Sequence, residues 1–189
     1  MPNPVLPRTA SDQLPTRLHE GWQRSMELRG DATFFEVFGA NPPLFDWYTE
    51  RFYGELFYGG CVDRRSKELL RLRLSSVHGC KFCNQGNRVD AKAAGLSDSE
   101  LDAIATGDPA ALAERDRAVL ALAEQMQLSN PAGQLDKALY ARLREHFDDA
   151  QVLELGVVAA VLTGMAKMLF VYDLVEKEDY CPFPTEEEQ

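Results

Sequence analysis

The sequence predicts an all-α protein, and three observations carry that prediction. Apolar residues recur at three- and four-residue spacing in one segment after another. No run of useful length alternates with the period of two that a half-buried strand needs. The breaks between segments fall at glycine, proline and capping residues. At 189 residues, 45% hydrophobic and 26% charged, the chain has the size and composition of one globular domain with a substantial core. A single helical domain of about seven to nine helices is expected over 16–177, between an extended arm at 1–15 and an extended tail at 178–189.

Pro2, Pro4, Pro7 and Pro15 exclude a regular helix from the arm, which either wraps a neighbouring subunit or frays. Leu18, Trp22 and Met26 then mark an amphipathic helix ended at Gly30. Asp31 is placed to cap a short segment through Phe38, and Asn41-Pro42 starts a helix running to about Tyr58 with an apolar stripe at Leu44, Phe45, Tyr48, Phe52 and Leu56. Asp63 or Ser66 caps the next helix, which carries Leu69, Leu70, Leu72 and Leu74 and stops at Gly79. Another begins at Cys80 and ends at Gly95. Ser97 and Glu100 form a capping-box signature, and Asp108-Pro109 opens a helical pattern to Leu128. Leu135, Leu139, Leu143 and Phe147 mark a further helix. The longest helix is expected from about Ala150 to Lys177, apolar on nearly every face and therefore central to the bundle. Two prolines and a terminal acidic run then predict a tail that leaves the globule.

Thirty acidic against 20 basic residues give a net charge of −10, which repels phosphate backbones and argues against a nucleic-acid partner. The charge-free apolar run 155–166 is shorter than the roughly 20 residues that span a bilayer, so no membrane association is expected. The first residues carry no secretory pattern, and the expected compartment is the cytoplasm.

In a reducing compartment, a Cys-x-x-Cys pair points to redox or metal chemistry. Cys80 and Cys83 lie one turn apart at a helix start, where unpaired N–H groups and the helix dipole stabilise a thiolate and each thiol can reach the other. A closed zinc site would have to recruit Cys61, Cys181, His19 or His146 from far along the chain, and no metal or other cofactor is expected. Folding the two helices about His78-Gly79 brings Glu68 and Asn87 to similar heights, so that Glu68, Asn87 and both thiols are candidates for one polar site. Glu68 also has a structural reading, as the ion-pair partner of Arg71 or Arg88. His78 is either a base for the thiols or a cation capping its helix C-terminus.

Glu68, eleven intervening residues, Cys80-x-x-Cys83 and a polar residue four positions on form a pattern. With the flanking Lys67-Glu-Leu-Leu-Arg-Leu-Arg-Leu-Ser-Ser76 and Ala91-Lys-Ala-Ala-Gly-Leu96, it resembles the alkylhydroperoxidase D-like branch of the carboxymuconolactone decarboxylase family. The likeness is strongest over 42–128 and weaker to about Val175. It implies an all-helical fold assembled as a homo-oligomer, trimer or hexamer, and a thiol peroxidase reducing hydroperoxides. Cys83 would be the attacking thiol, Cys80 the resolving one and Glu68 the outer member of a proton relay. A dithiol partner, lipoyl-bearing or thioredoxin-like, would supply the electrons. Where the family usually has histidine this chain has Asn87, whose amide orients a water or donates a hydrogen bond but does not relay a proton. Two alternatives follow: an oligomeric binding or redox-sensing protein with weak or no peroxidase activity, and a lactone decarboxylase.

Overall fold

The protein is described by a computed structural model covering residues 1–183. Nine α-helices occupy the described residues: α1 Thr16–Arg29, α2 Thr33–Phe38, α3 Pro42–Asp46, α4 Arg64–His78, α5 Lys81–Ala93, α6 Asp98–Thr106, α7 Glu114–Met126, α8 Lys137–Arg144 and α9 Asp149–Val171. Short 3₁₀ turns lie at Ser11–Gln13 and Pro109–Ala111, so α7 begins later than the residue pattern predicts. No strand is present among the described residues, where the one β-type contact is an isolated bridge between Cys80 and Lys177.

Expected caps account for several helix starts, but not for α2, whose N-cap is Ala32 and not Asp31 and carries no side-chain cap bond. Asn41 Oδ1 accepts from the Leu44 N–H, Asp63 Oδ1 from Ser66, and Ser97 with Glu100 completes a capping box. The helix expected from Pro42 to Tyr58 is instead α3 followed by a π-helix over Trp47–Phe57. Its wider winding is visible where the Tyr58 N–H bonds the Tyr53 carbonyl, five residues back, at 2.8 Å. Residues five apart therefore share a face, and Phe52 and Phe57 both enter the core while Leu44 stays exposed.

The central helix is α4 rather than α9. Eleven of its 15 residues are buried, and Leu69, Leu70, Leu72 and Leu74 pack against Val119 and Leu122 of α7 and Leu155 and Val158 of α9. Helix α9 buries one face only, leaving Leu153 70% exposed along with Val157 and Val171. An apolar pattern on every face predicts enclosure on every side, and among the described residues nothing covers the outer face of α9. With 23 residues and a mean hydropathy of 1.8, α9 is also long and apolar enough to cross a bilayer by length and composition, although its inner face belongs to the core.

Helix α9 ends at Val171, six residues before the expected point, because Asp173 turns into the left-handed region at φ 52°. The chain then folds back, and the expectation of a tail leaving the globule does not hold for residues 178–183. Residues 184–189 lie outside the described ones. Glu178 N–H bonds the Gly79 carbonyl at 2.8 Å, Phe82 N–H bonds the Glu176 carbonyl at 3.3 Å, and Lys81 pairs with Glu176 at 2.8 Å. This strap lies across the α4–α5 turn. Gly79 is required there twice over: its φ is +65°, and a Cβ on it would sit 2.6 Å from Cys181 Cα. The N-terminal arm also packs on its own chain, through Thr9 N–H to the Glu36 carbonyl at 3.0 Å and through buried Leu14.

Candidate active site

Gly79 reverses the chain between α4 and α5 and sets Cys80 at the N-cap of α5 with Cys83 in its first turn. The two are joined as a disulfide, and Cys80 Sγ also accepts from the Cys83 N–H at 3.2 Å. Their environments differ. Both line a cavity of about 480 Å³, but Cys80 is 0% exposed beneath the strap, whereas Cys83 is half-buried. Cys83 is therefore the more accessible sulfur of the two.

The cavity walls are mostly aromatic and aliphatic: Phe34, Phe35 and Phe45 from α2 and α3, Tyr48 and Tyr53 from the π-helix, and Met165 from α9. The aromatic stripe of residues 44–56, readable from sequence equally as core or as pocket, does both. Polar groups come from the α4–α5 hairpin. Asn87 Nδ2 donates to Ser75 Oγ at 2.9 Å, and Ser75 Oγ donates in turn to the Leu72 carbonyl at 3.0 Å.

One turn deeper, Arg71 pairs with Glu68 and, at 2.7 Å, with Asp90, while Arg64 Nε donates to Glu68 at 3.3 Å. Glu68 is 0% exposed, and that burial raises its pKa even against the pull of Arg71. The hairpin thus sets Asn87 opposite Ser75 and Asp90 opposite Arg71. Glu68 is reached from the cavity through Arg71, which lines it, and Glu68 itself lies behind that wall. Of the two arginines considered as its partner, Arg71 takes the role, and Arg88 pairs with Asp102 at 2.8 Å.

His78 is buried, lines the cavity beside the cysteines, and accepts the Leu128 N–H on Nε2 at 3.1 Å. That bond puts the proton of the neutral ring on Nδ1, leaving no free ring lone pair. Burial lowers its pKa to about 4, so His78 is a neutral donor near pH 7 rather than a helix-capping cation. Its unfolded value is near 6.5, so the unfolded chain binds the extra proton first and stability is lost as pH falls from about 6.5 towards 4. Replacing His78 with glutamine is expected to flatten the urea-midpoint profile across that window, where the wild-type contribution is on the order of 3 kcal/mol. An unchanged slope would show that another group carries it.

Cys80, Cys83, His78 and Asn87 therefore line one cavity, with Glu68 one residue removed. Sequence reading overlooked Ser75 and Asp90, whose positions 12 residues before Asn87 and 19 after Arg71 carry no local signal. It also overlooked Arg29, brought in from α1.

Residues 43–125 match the model of the carboxymuconolactone decarboxylase family. The Bacillus subtilis (strain 168) protein YdfG is 29% identical over 98 residues, 51% of this chain, and the matched part is 66% of YdfG, just short of two thirds of its length. Among solved structures, an alkylhydroperoxidase AhpD core, peroxidase-related protein from Ralstonia eutropha JMP134 superposes with a TM-score of 0.72 at 16% identity, over 95% of this chain and 94% of that one. The debrominase Bmp8 in complex with 2,3,4-tribromopyrrole does so with a TM-score of 0.65 at 19% identity, over 94% of this chain and 93% of that one. At such identities the structural likeness establishes the fold.

Proposed function

We propose, for a chain whose residues 43–125 match the model of the carboxymuconolactone decarboxylase family on an alkylhydroperoxidase D-like fold, a thiol-dependent peroxidase that reduces hydroperoxides at Cys83. The observation that carries this reading is the unequal exposure of a pair that lines one cavity, with Cys83 half-buried and Cys80 0% exposed. The Cys83 thiolate attacks the distal oxygen of ROOH, the O–O bond breaks, and the sulfenic acid forms as RO⁻ takes a proton to leave as ROH. Cys80 then attacks the sulfenate sulfur, water leaves, and the disulfide seen here is the product. A dithiol partner, lipoyl-bearing or thioredoxin-like, returns two electrons and two protons by exchange.

The mostly apolar cavity favours a bulky organic hydroperoxide over hydrogen peroxide. A homo-oligomer, trimer or hexamer, is part of the proposal, and the uncovered stripe of Leu153, Val157 and Val171 on α9 is the surface a second copy would bury.

One feature favours the second reading, a redox-sensing protein of weak turnover. The two groups that would serve as base are already engaged, Glu68 by Arg71 and Arg64 and His78 Nε2 by Leu128, and Asn87, bonded to Ser75, is an amide and no base. Pre-reduced protein mixed with cumene hydroperoxide tests the two. One equivalent consumed per chain, with catalytic turnover on adding dihydrolipoamide, is the expected result. Asn87→His is expected to raise that turnover by about 10²-fold, the lower end of what a general base contributes. Stoichiometric oxidation without turnover in either protein leaves the sensor reading, and no consumption at all sinks the peroxidase.

A further inference from the structure

The protein carries a net charge of −10, yet the charged residues lining its cavity are Arg24, Arg29, Arg71 and Asp90. The site is a positive pocket in an acidic chain. Arg71 and Asp90 neutralise one another at 2.7 Å, and Arg71 is further tied to Glu68. The positive excess therefore rests on the two arginines of α1.

Arg29 is the one seated against the cysteine helix. Its Nε donates to the Phe82 carbonyl at 2.9 Å, and its guanidinium lies 4.2 Å from the centroid of the Phe82 ring. The end of the side chain rests over Gly86, where any Cβ would collide with Nη2. Gly86 is one turn from Cys83 on the same helix face, a separation of about 5–6 Å between Cβ positions. Among the described residues Arg29 bonds only this carbonyl and, at 3.4 Å, Ser25 Oγ, and no carboxylate lies within ion-pairing distance. A half-buried cation whose carboxylate neighbours, Asp90 and Asp31, act on it without ion-pairing is only partly compensated, and burial without a paired counter-charge is costly. The sulfur of Cys83, one turn from Gly86, is placed to supply a further negative charge.

We propose that Arg29 is the cation that holds reduced Cys83 as a reactive thiolate, acting through that side chain as a positioning residue. The inference rests on the thiol reading of the site and adds a residue from outside the family-matched segment 43–125. It gives this chain a route to an activated thiol that needs neither an imidazole at position 87 nor a free lone pair on His78. A fixed charge close to a thiol favours its ionised form just as a base does, but it removes no proton and works by equilibrium. Burial lowers the pKa of Arg29 itself, and Asp90 and Asp31 pull in the opposite direction.

The other charges facing this region are few. Asp31 follows α1 and accepts from Thr33 at 2.7 Å; Asp90 is held by Arg71; Lys81 and Glu176 pair with each other at the strap; Glu178 accepts from Asn84 at 3.2 Å; and Arg24 lies at the cavity on α1. His78 is neutral above about pH 4 and contributes no charge at the working pH.

Alkylation of the fully reduced protein by iodoacetamide between pH 5 and 10, read at Cys83 by peptide mass spectrometry, tests the proposal. Arg29→Met is expected to move the rate profile to higher pH, lowering the rate at pH 7 by about tenfold, one pKa unit, while leaving the high-pH plateau unchanged. Arg29→Lys restores part of the loss, because charge returns without the guanidinium geometry. Gly86→Ala keeps every charge, displaces the guanidinium, and shifts the profile in the same direction by a smaller amount, which preserves the test if Arg29→Met fails to fold. Coincident profiles for wild type and the Arg29 or Gly86 variants overturn the proposal. Alkylation uses no hydroperoxide, so a shifted profile without peroxide turnover overturns the peroxidase reading and keeps this one, and turnover with coincident profiles does the reverse.

Discussion

Cys83→Ser is expected to abolish dithiol-dependent hydroperoxide consumption, with a loss of about 10³-fold or more, and Cys80→Ser to stop turnover while still reacting once. The difference follows from what each sulfur touches. Cys83 is the more exposed of the two sulfurs on the cavity and, in the proposed reaction, the one a hydroperoxide meets, so its removal would leave only the background of the pocket. Cys80 is buried at the N-cap, against the strap, and reaches only its partner one turn away. Without it the sulfenic acid on Cys83 persists, because the resolving thiol is gone. Dimedone added after one equivalent of cumene hydroperoxide is expected to label Cys80→Ser at Cys83 and to label wild type far less. Equal single-turnover consumption by Cys83→Ser and wild type would remove Cys83 from the chemistry. Dimedone labelling of Cys80 in Cys83→Ser would reverse the order assigned to the two thiols.

The largest stability effect is expected at Lys67, a cation with 0% exposure in the first turns of α4. Its Nζ pairs with Glu154 of α9 at 2.6 Å and donates to the Leu56 carbonyl at 2.7 Å, at the end of the π-helix. Glu154 also accepts from the N–H groups of Cys61 at 2.7 Å and Val62 at 3.0 Å, so one carboxylate gathers the loop before α4, α4 and α9. Burial works against ionisation of Glu154. The bonds from Cys61, Lys67 and Val62 outweigh it, and the pKa is held at about 2. Lys67→Met leaves that charge without its counter-ion and is expected to cost about 3–5 kcal/mol, lowering the melting temperature by roughly 10 °C. Combining it with Glu154→Leu should recover much of the loss, because a neutral pair of similar volume strands no charge. In wild type the stabilisation is fully present above about pH 4.5 and is lost as pH falls towards 2, since the unfolded carboxylate takes its proton first. A Lys67→Met protein melting within 2 °C of wild type would show that water reaches Glu154.

Where the local chain dictates the outcome, the residues alone are sufficient. Capping side chains act within three residues, so Asn41, Asp63 and Ser97 place their helices directly. Gly79 and the two thiols one turn apart define a reactive dithiol before any tertiary contact forms. The all-α class, the helical hairpin and the candidate dithiol are properties of this kind, as is the resemblance carried by Glu68 and the Cys-x-x-Cys spacing.

Only the tertiary structure decides which thiol is the more exposed, because the strap from 176–183 and the walls from α2, α3 and α9 are far away in sequence. The same holds for the register of α4 against α5, where a shift of one turn sets Asn87 opposite Ser75 and leaves Glu68 to Arg71. Helical rise gives heights along an axis but not rotation about it, and rotation selects the facing side chain. The π-helical winding of 47–57 and the central role of α4 were likewise hidden, since both depend on packing that competes with the local 3.6-residue pattern. Arg29 was hidden most completely. An arginine at the end of a surface helix reads as a C-terminal dipole partner, and what makes it part of the site is a missing Cβ at Gly86, 57 residues along the chain.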